Sequence, residues 1–485
     1  MTHLPAEVIF AVEPGANHYR EACVFCVSAE ERDGFNAPST FEFIPMMDHS
    51  HRPNTEFRKT IRRHAMTSHI RLKRQANGGA LDRSPNRPPQ IDGPDPFAVL
   101  PVKIEPYMQT LLHYYTTIGW KMFYSIEKHT IFNPMTEYWL SLAYRDAAFM
   151  HTIIGCAESH FAESPSYHDR PITVKHLNAA ISIINRRLAN SEVITDGTLV
   201  VIATMAMIEK HRGAHANWKI HMEGLKKLLR LRGGLGSLES QPLLMTKLHR
   251  ADLCGSVDAL QVPYFSRRSI LNLPMGNAHE LPSPGFRILD QLLHLDTSLK
   301  AGVHALFQST VSFQQLGVTS SNTEAAKIRY WITETQYMLL SLKYAEPCYE
   351  LCRVALILFT GIFLKESPPN SPVLDMLITK IQALYEESAP SLASRWGGVL
   401  TEEFSLWIFF LTASVAASLQ LREWSMLRIM ESASLLRLNE WEATLNVLRN
   451  FLWDSSFNDR FRCIWDDASP SLGFPEKERF GDLSV

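Results

Sequence analysis

The sequence has little of what secreted proteins and membrane proteins depend on. Its seven cysteines are an odd, sparse set in 485 residues, which argues against a disulfide framework and indicates reduced thiols inside a cell. The first residues contain no cationic stretch followed by an apolar one, so we expect no secretory signal. The apolar runs 354–364 and 404–419 are too short or too rich in serine and threonine to cross a bilayer, and both are typical of buried core helices.

The motifs of common catalytic and metal sites are also missing. The sequence has no serine nucleophile elbow and no glycine-lysine phosphate loop. His211 and His215 lie one helical turn apart, but Arg212 stands where a zinc protease needs a glutamate. Cys23 and Cys26 have the spacing of zinc ligands, yet they supply only two of the four that a tetrahedral site needs. We therefore expect neither an enzyme nor a cofactor.

Charge is balanced over the whole chain and unbalanced in one place. The chain has 48 basic and 50 acidic residues, and its 46% hydrophobic and 20% charged content is that of a soluble globular protein. One segment near the amino terminus has no acidic residue and seven cations, which are Arg58, Lys59, Arg62, Arg63, Arg71, Lys73 and Arg74. A local cationic strip on a neutral protein indicates an acidic or polyanionic partner.

This basic segment has three functional interpretations and one structural one, a solvated helix face. Arg58–Lys59 and Arg71–Arg74 form two clusters separated by eleven residues, which is similar to a bipartite nuclear import signal. The cations could also neutralise phosphates and give salt-dependent binding to nucleic acid. A membrane-bound helix is the least favoured of the three, because the segment has few bulky apolar anchors, and we expect no membrane partner.

Periodicity and helix breakers divide the chain into four parts. Residues 1–53 have no clear pattern apart from a short strand expected at Phe41–Ile44, and residues 54–76 have the spacing of a basic amphipathic helix. Prolines and glycines make 77–101 a linker. Residues 102–485 are helical almost throughout, so we predict an all-α fold preceded by a mostly irregular segment with one basic helix.

Several helices of the long part can be placed from their apolar positions. One stripe, which begins a helix after the linker, consists of Met108, Leu111, Leu112, Tyr115, Ile118 and Met122. A second stripe runs from Trp218 to Leu229, and its helix is expected to end at Gly233–Gly234 after a cationic last turn. Continuous helices are also predicted over 137–162, 171–190, 196–211 and 402–421.

Several stretches of the helical part resemble the fungal-specific transcription factor domain, the long helical module of zinc binuclear cluster regulators. The resemblance lies in 133–151, in 215–235, in Glu403–Trp407 and in the closing stretch Leu448–Trp453 with Ile464–Trp465. Residues 215–235 are similar to the most recognisable signature of the family, and we call six of them the signature residues: Trp218, His221, Gly224, Arg232, Gly233 and Gly234.

The resemblance implies a nuclear transcriptional regulator whose helical domain makes regulatory and protein contacts. That family reads DNA with six cysteines that hold two zinc ions, and this sequence offers only Cys23 and Cys26 before the helical part. Three routes to DNA remain: the basic segment itself, a DNA-binding partner protein, or a segment upstream of this sequence. The expected partners are DNA or such a partner, the nuclear import machinery, and further copies or relatives of the chain in an oligomer.

Two alternatives from other classes stay open at this stage. An all-α enzyme would show convergent acidic residues or a metal in a deep pocket. A cytoplasmic scaffold would use the same helices for protein contacts and would have no role at DNA.

Overall fold

The computed structural model describes the strands Val8–Ala11 and Phe41–Ile44, and residues 100–161, 171–265, 273–274, 281–317, 320–364, 372–395 and 399–468. The predicted all-α class is confirmed, because helices make up 78% of the described structure. Cys23, Cys26 and the basic segment Arg58–Arg74 lie outside the described residues.

Among the described residues, the helical body has eight α-helices in its first half and nine in its second. Those of the first half are α1 (Pro106–Tyr114), α2 (Trp120–Phe123), α3 (Leu140–Ala143), α4 (Ala147–Phe161), α5 (Pro171–Ala189), α6 (Asp196–His211), α7 (His215–Leu231) and α8 (Pro242–Asp258). The predictions for 171–190 and 196–211 therefore hold to within one residue. Strands β1 (Val8–Ala11) and β2 (Phe41–Ile44) pair in parallel beside α7 and α5, so the strand predicted at Phe41–Ile44 is confirmed.

The second half of the helical body continues with nine α-helices. They are α9 (Pro284–Leu293), α10 (Thr297–Gln314), α11 (Asn322–Ser341), α12 (Pro347–Leu364), α13 (Asp375–Arg395), α14 (Val399–Val415), α15 (Leu419–Leu435), α16 (Trp441–Leu448) and α17 (Asn458–Ala468). Several helices pack against their neighbours along the chain, among them α4 with α5, α6 with α7, α10 with α11, α12 with α13 and α14 with α15.

The helices enclose two hydrophobic cores rather than one. The first core lies among α1–α8, and the second lies among α9–α17. Helix α8 contributes to both, because Leu244 and Leu248 pack in the first core whereas Leu253 and Val257 pack in the second. Helix α8 therefore connects the two cores.

The prediction that Ile118 is buried is wrong. A π-helical turn, Tyr115–Gly119, separates α1 from α2. Such a turn holds more residues than an α-helical turn, and it therefore rotates the following side chains about the helix axis. Met108 and Leu111 remain buried, but Ile118 is 58% exposed and Trp120 turns inward in its place.

Two of the predicted continuous helices are broken by carboxylates. The helix expected over 137–162 is interrupted before α4, where Asp146 Oδ1 accepts the backbone N–H of Phe149 at 3.0 Å and begins a new helix. The helix expected over 402–421 ends at Val415. Asp375 there accepts the N–H groups of Ala417 and Ser418 at 2.9 and 3.0 Å, which starts α15 in a new direction.

The two apolar runs noted in the sequence are core helices. Helix α12 is long and apolar enough to cross a membrane by composition, with a mean hydropathy of 1.6 over 18 residues, but 83% of it is buried inside the fold. Most of α14 is buried as well, including Phe404, Trp407 and Phe410. Cys348 and Cys352 are buried on α12 and pack in the second core.

Candidate functional site: the signature helix and the polar junction

Signature residue Trp218 locks α7 against α8. Its side chain is fully buried, and its indole N–H donates to the carbonyl oxygen of Ala251 at 2.7 Å. The ring lies directly over Gly255, so closely that a Cβ on Gly255 would overlap the indole carbons. A tryptophan on one helix therefore requires a glycine on the other, and the pair fixes how closely the two helices approach.

The remaining signature residues lie on α7 or in the turn that ends it. His221 and Gly224 are buried on the inner face of α7, and burial lowers the pKa of His221 to about 3, so this imidazole is neutral. Gly233 and Gly234 have φ values of +106° and +83°, which only glycine adopts readily, and their N–H groups close the end of α7. Arg232 forms an ion pair with Asp196 at the start of α6.

Two histidines of α7 pack against or within the first core. His221 lies in the core, and His215 stacks on Trp218 with a ring separation of 4.9 Å. Burial and the neighbouring Lys210 lower the pKa of His215 to about 4. His215 is thus neutral, and its Nδ1 can accept a hydrogen bond from the Lys210 ammonium at 3.2 Å.

The other stretches that carried the resemblance also meet inside the fold. Trp407 donates its indole N–H to the carbonyl oxygen of Leu452 at 3.0 Å, which joins α14 to the closing stretch. In the first core, Trp139 donates to the hydroxyl of Tyr124 at 2.6 Å, and Asp146 pairs with Arg187 at 2.7 Å. The sequence signals of this family are therefore anchors of helix packing in this chain.

A short segment of the first half is inserted into the second core. Ser125 donates its hydroxyl to the carbonyl oxygen of Leu364 at 2.5 Å, and Ile126 is fully buried among second-core side chains. Glu127 accepts two hydrogen bonds of 2.6 Å from the guanidinium of Arg329 on α11. Burial acts to raise the pKa of Glu127, but the charge and hydrogen bonds of Arg329 outweigh it and hold that pKa below its usual value.

Asp252 on α8 is the centre of the junction between the cores. Its carboxylate accepts the N–H groups of Tyr264 and Phe265 at 2.9 and 2.8 Å, and the hydroxyls of Tyr337 and Ser256 at 3.0 and 3.3 Å. Burial raises the pKa of Asp252 to about 6 in spite of these four donors. One side chain thus ties α8, the loop that follows it and α11 together.

A buried ion pair lies at the end of α8. Lys210 at the end of α6 forms a salt bridge with Asp258, and both side chains are at most 2% exposed. Burial raises the pKa of Asp258 to about 6, Lys210 opposes that rise, and the carboxylate of Asp375 adds to it. Removing either partner would leave the other as a buried charge without compensation, which costs about 3 to 5 kcal/mol.

The first core contains a small cavity lined by apolar and polar side chains. Its volume is about 20 Å³, and its lining includes Tyr115, Tyr124, Thr152, Thr204 and Lys247. That volume holds about one water molecule, whereas small-molecule sites usually need roughly 300 Å³ or more. We therefore assign no effector to this cavity.

The structure places only some of the residues singled out in the sequence. The signature residues come together at the α6–α7–α8 contact, whereas the basic segment and the two cysteines lie outside the described residues. Within those residues, no group of three or more metal-ligating side chains is present. Sequence reasoning missed the junction residues Glu127, Asp252 and Arg329, because charged residues in helices are normally exposed and nothing local marks these as buried.

The comparisons with known proteins identify one family. A family model described as the fungal specific transcription factor domain matches residues 110–451, more than two thirds of the chain. No curated protein and no solved structure matches the chain. The matched range begins in α1 and ends just after α16, so it covers most of both cores and the junction between them.

Proposed function

Because the chain belongs to the fungal specific transcription factor domain family and is a transcriptional regulator, we propose that its helical body serves as a regulatory and interaction domain and that the basic segment Arg58–Arg74 brings this body into the nucleus and to DNA phosphates. The family is regulatory rather than enzymatic, and it implies a nuclear location. The single observation that supports the proposal most is the family match over both cores.

The organisation of the body supports a binding role. Trp218, Gly255 and Trp407 hold the helices in fixed contact, and the charged residues Glu127 and Arg329 are paired with each other. A regulator needs such a rigid scaffold, because contacts with partners are made by surfaces whose positions the interior sets. The interior of this body thus consists of closely packed helices and paired charges, as a scaffold for partner-binding surfaces requires.

The basic segment supports the second half of the proposal. It concentrates seven cations and no acidic residue in a chain whose net charge is −2. Cations attract phosphate without distinguishing bases, so sequence specificity would come from a partner protein. The two-zinc DNA reader of the family needs six cysteines, and this sequence offers only Cys23 and Cys26 before the helical part. We therefore propose that DNA phosphates are contacted through the basic segment instead.

Nuclear import is tested by replacing Arg62, Arg63, Arg71 and Arg74 with alanine in a fluorescently tagged chain. The wild-type protein should concentrate in nuclei, and the fourfold variant should distribute through the cell. The matched control replaces four cations of the body that are exposed in the structure, Lys343, Lys380, Arg449 and Arg460, and should remain nuclear. Nuclear concentration of the fourfold variant equal to that of the wild type would remove the import role.

Phosphate contact is tested with the same two variants and a 20-base-pair duplex of random sequence. The logarithm of the binding constant should fall linearly with the logarithm of the salt concentration, and each lost phosphate contact should reduce the slope by about 0.9. The fourfold variant should therefore show a shallower slope than the wild type, and the body control should not. Binding that neither salt nor the fourfold change affects would contradict DNA contact by this segment.

A further inference from the structure

The outward face of α7 carries a row of cations. Lys219, Lys226 and Arg230 lie at spacings of seven and four residues, within about 40° of one another around the helix, and Lys227 lies beside them. Lys219, Lys227 and Arg230 are exposed, with strand β1 already in place beside α7. The row extends for about 16 Å along the helix axis, at 1.5 Å per residue.

The acidic residue within this row is already engaged. Glu223 lies on the same face, and it forms a hydrogen bond with the hydroxyl of Tyr264 that contributes to the raised pKa of that tyrosine, after burial. The ammonium of Lys226 lies 5.2 Å from the centre of the same ring. Glu223 keeps its negative charge, and with the four cations Lys219, Lys226, Lys227 and Arg230 it leaves a net charge of +3 along the row.

Exposed apolar side chains lie at the end of the row. Leu231, which follows Arg230, is 41% exposed, and Val193 is 85% exposed. The ion pair between Arg232 and Asp196 joins the end of α7 to the start of α6. Leu231 directly precedes Arg232, and Val193 lies three residues before Asp196, so the ion pair connects the stretches that carry the two apolar residues. Cations followed by apolar residues favour a partner that has both acidic and apolar side chains. A phosphodiester backbone has no apolar group that could pack on valine and leucine.

We propose that α7 is a docking surface for an acidic amphipathic segment of a partner protein, with its carboxylates along Lys219, Lys226, Lys227 and Arg230 and an apolar side chain over Val193 and Leu231. This interaction is independent of the role proposed for Arg58–Arg74. It uses the side of the signature helix that faces away from Trp218 and Gly224. The same helix would therefore hold the fold together on one face and recognise a partner on the other.

The test measures binding of three labelled probes to the full chain by fluorescence anisotropy. The first is a 16-residue peptide of aspartate and glutamate with leucine or phenylalanine at every third or fourth position. The second has serine at those apolar positions, and the third is a 20-base-pair DNA duplex. The wild-type chain should bind the first peptide most tightly, and the binding should weaken as salt is added.

Neutralising Lys219, Lys227 and Arg230 with glutamine should weaken binding of the first peptide about 10-fold, since each exposed charge contributes modestly. Replacing Val193 and Leu231 with serine should weaken it about 5-fold and leave binding of the serine peptide unchanged. The matched control, Lys343, Lys380 and Arg449 changed to glutamine, removes the same charge from exposed positions elsewhere and should bind as the wild type does.

Three results would overturn the proposal. They are unchanged affinity of the triple α7 variant, equal affinity for the leucine and serine peptides, and binding of duplex DNA by the row in preference to the peptide. If the triple variant loses its helical circular dichroism, hydrogen exchange on the wild-type chain decides instead. Bound peptide should then slow exchange of backbone amides in His215–Leu231, and unchanged exchange there would contradict docking on α7.

Discussion

At the scale of single residues, small side chains are placed where large ones need space. Gly255 lies under the indole of Trp218, and Gly285 lies under Phe451, where an added Cβ would be 2.6 Å from the ring. Gly285 also donates its backbone N–H to the carbonyl oxygen of Asn450 at 2.7 Å. These contacts join residues far apart in the chain, so no local pattern in the sequence could reveal that each glycine is required by packing.

Changing Gly255 to alanine should therefore destabilise the protein. The new methyl group overlaps the buried indole of Trp218, and overpacking of this kind usually costs about 1 to 3 kcal/mol. Changing Gly302 on α10 to alanine is the matched control, because its added Cβ would be 3.4 Å or more from Leu339 and Met338. Urea unfolding should show a loss for the first variant and no loss for the second, and equal stability of Gly255→Ala and wild type would contradict the Trp218 contact.

Removing the charge of Glu127 should be more costly still. Glu127→Gln leaves Arg329 buried without its carboxylate, which costs about 3 to 5 kcal/mol of unfolding free energy at pH 7. Arg329 lowers the pKa of Glu127 below its ordinary value of 4.5, so the contribution of the pair is complete above that pH and is lost as the pH falls through the lowered pKa. The unfolding free energies of wild type and variant should therefore converge in acid.

A second variant separates the charge effect from simple loss of packing. Replacing both partners, Glu127→Leu with Arg329→Met, leaves no unpaired ion and should recover much of the lost stability at pH 7. A difference between wild type and Glu127→Gln that persists unchanged at low pH would show that the ion pair is not its cause.

At the scale of elements, helices with a clear apolar pattern could be predicted from the sequence, whereas α8 could not. Helices α5, α6 and α7 appeared at the expected places, because their apolar spacing or composition is clear. Helix α8 was not predicted individually. It packs on both cores and buries Arg250, Asp252 and Asp258, so charged residues interrupt its apolar pattern at positions that are nevertheless interior.

The same limitation applies to the candidate site. The six signature residues were identified by resemblance, and the structure brings four of them to the contacts of α7 with α6 and α8 or to the turn that ends α7. The partners of those residues, Gly255, Ala251 and Asp196, depend on the tertiary fold. Side chains that pair over long sequence separations have no periodicity from which they could be inferred.

The π-helical turn between α1 and α2 makes a prediction at this scale. Because it rotates the following residues, Ile118 is exposed although it belongs to the apolar stripe in the sequence, whereas Leu111 is buried. Ile118→Ser should change the unfolding free energy by less than about 0.5 kcal/mol. Leu111→Ala should cost about 2 to 5 kcal/mol because it opens a cavity in the first core. A large loss for Ile118→Ser would contradict the rotated register.

At the scale of the whole molecule, α8 and the segment Ser125–Glu127 couple the two cores. Each core lends residues to the other, so we expect them to unfold together rather than as separate domains. Native-state hydrogen exchange should show the most protected amides of α6 and α12 opening at the same urea concentration. Opening of one of these helices while the other remains protected would show that the cores are independent.

The central claim is that this chain regulates transcription in the nucleus, with its helical body making the protein contacts. Genome-wide chromatin occupancy of the tagged chain, in cells that express it natively, tests that claim most directly. The account predicts enrichment at discrete promoter regions, reduced when Arg62, Arg63, Arg71 and Arg74 are changed to alanine. Occupancy no greater than that of an untagged control, with the protein present and folded, would contradict it.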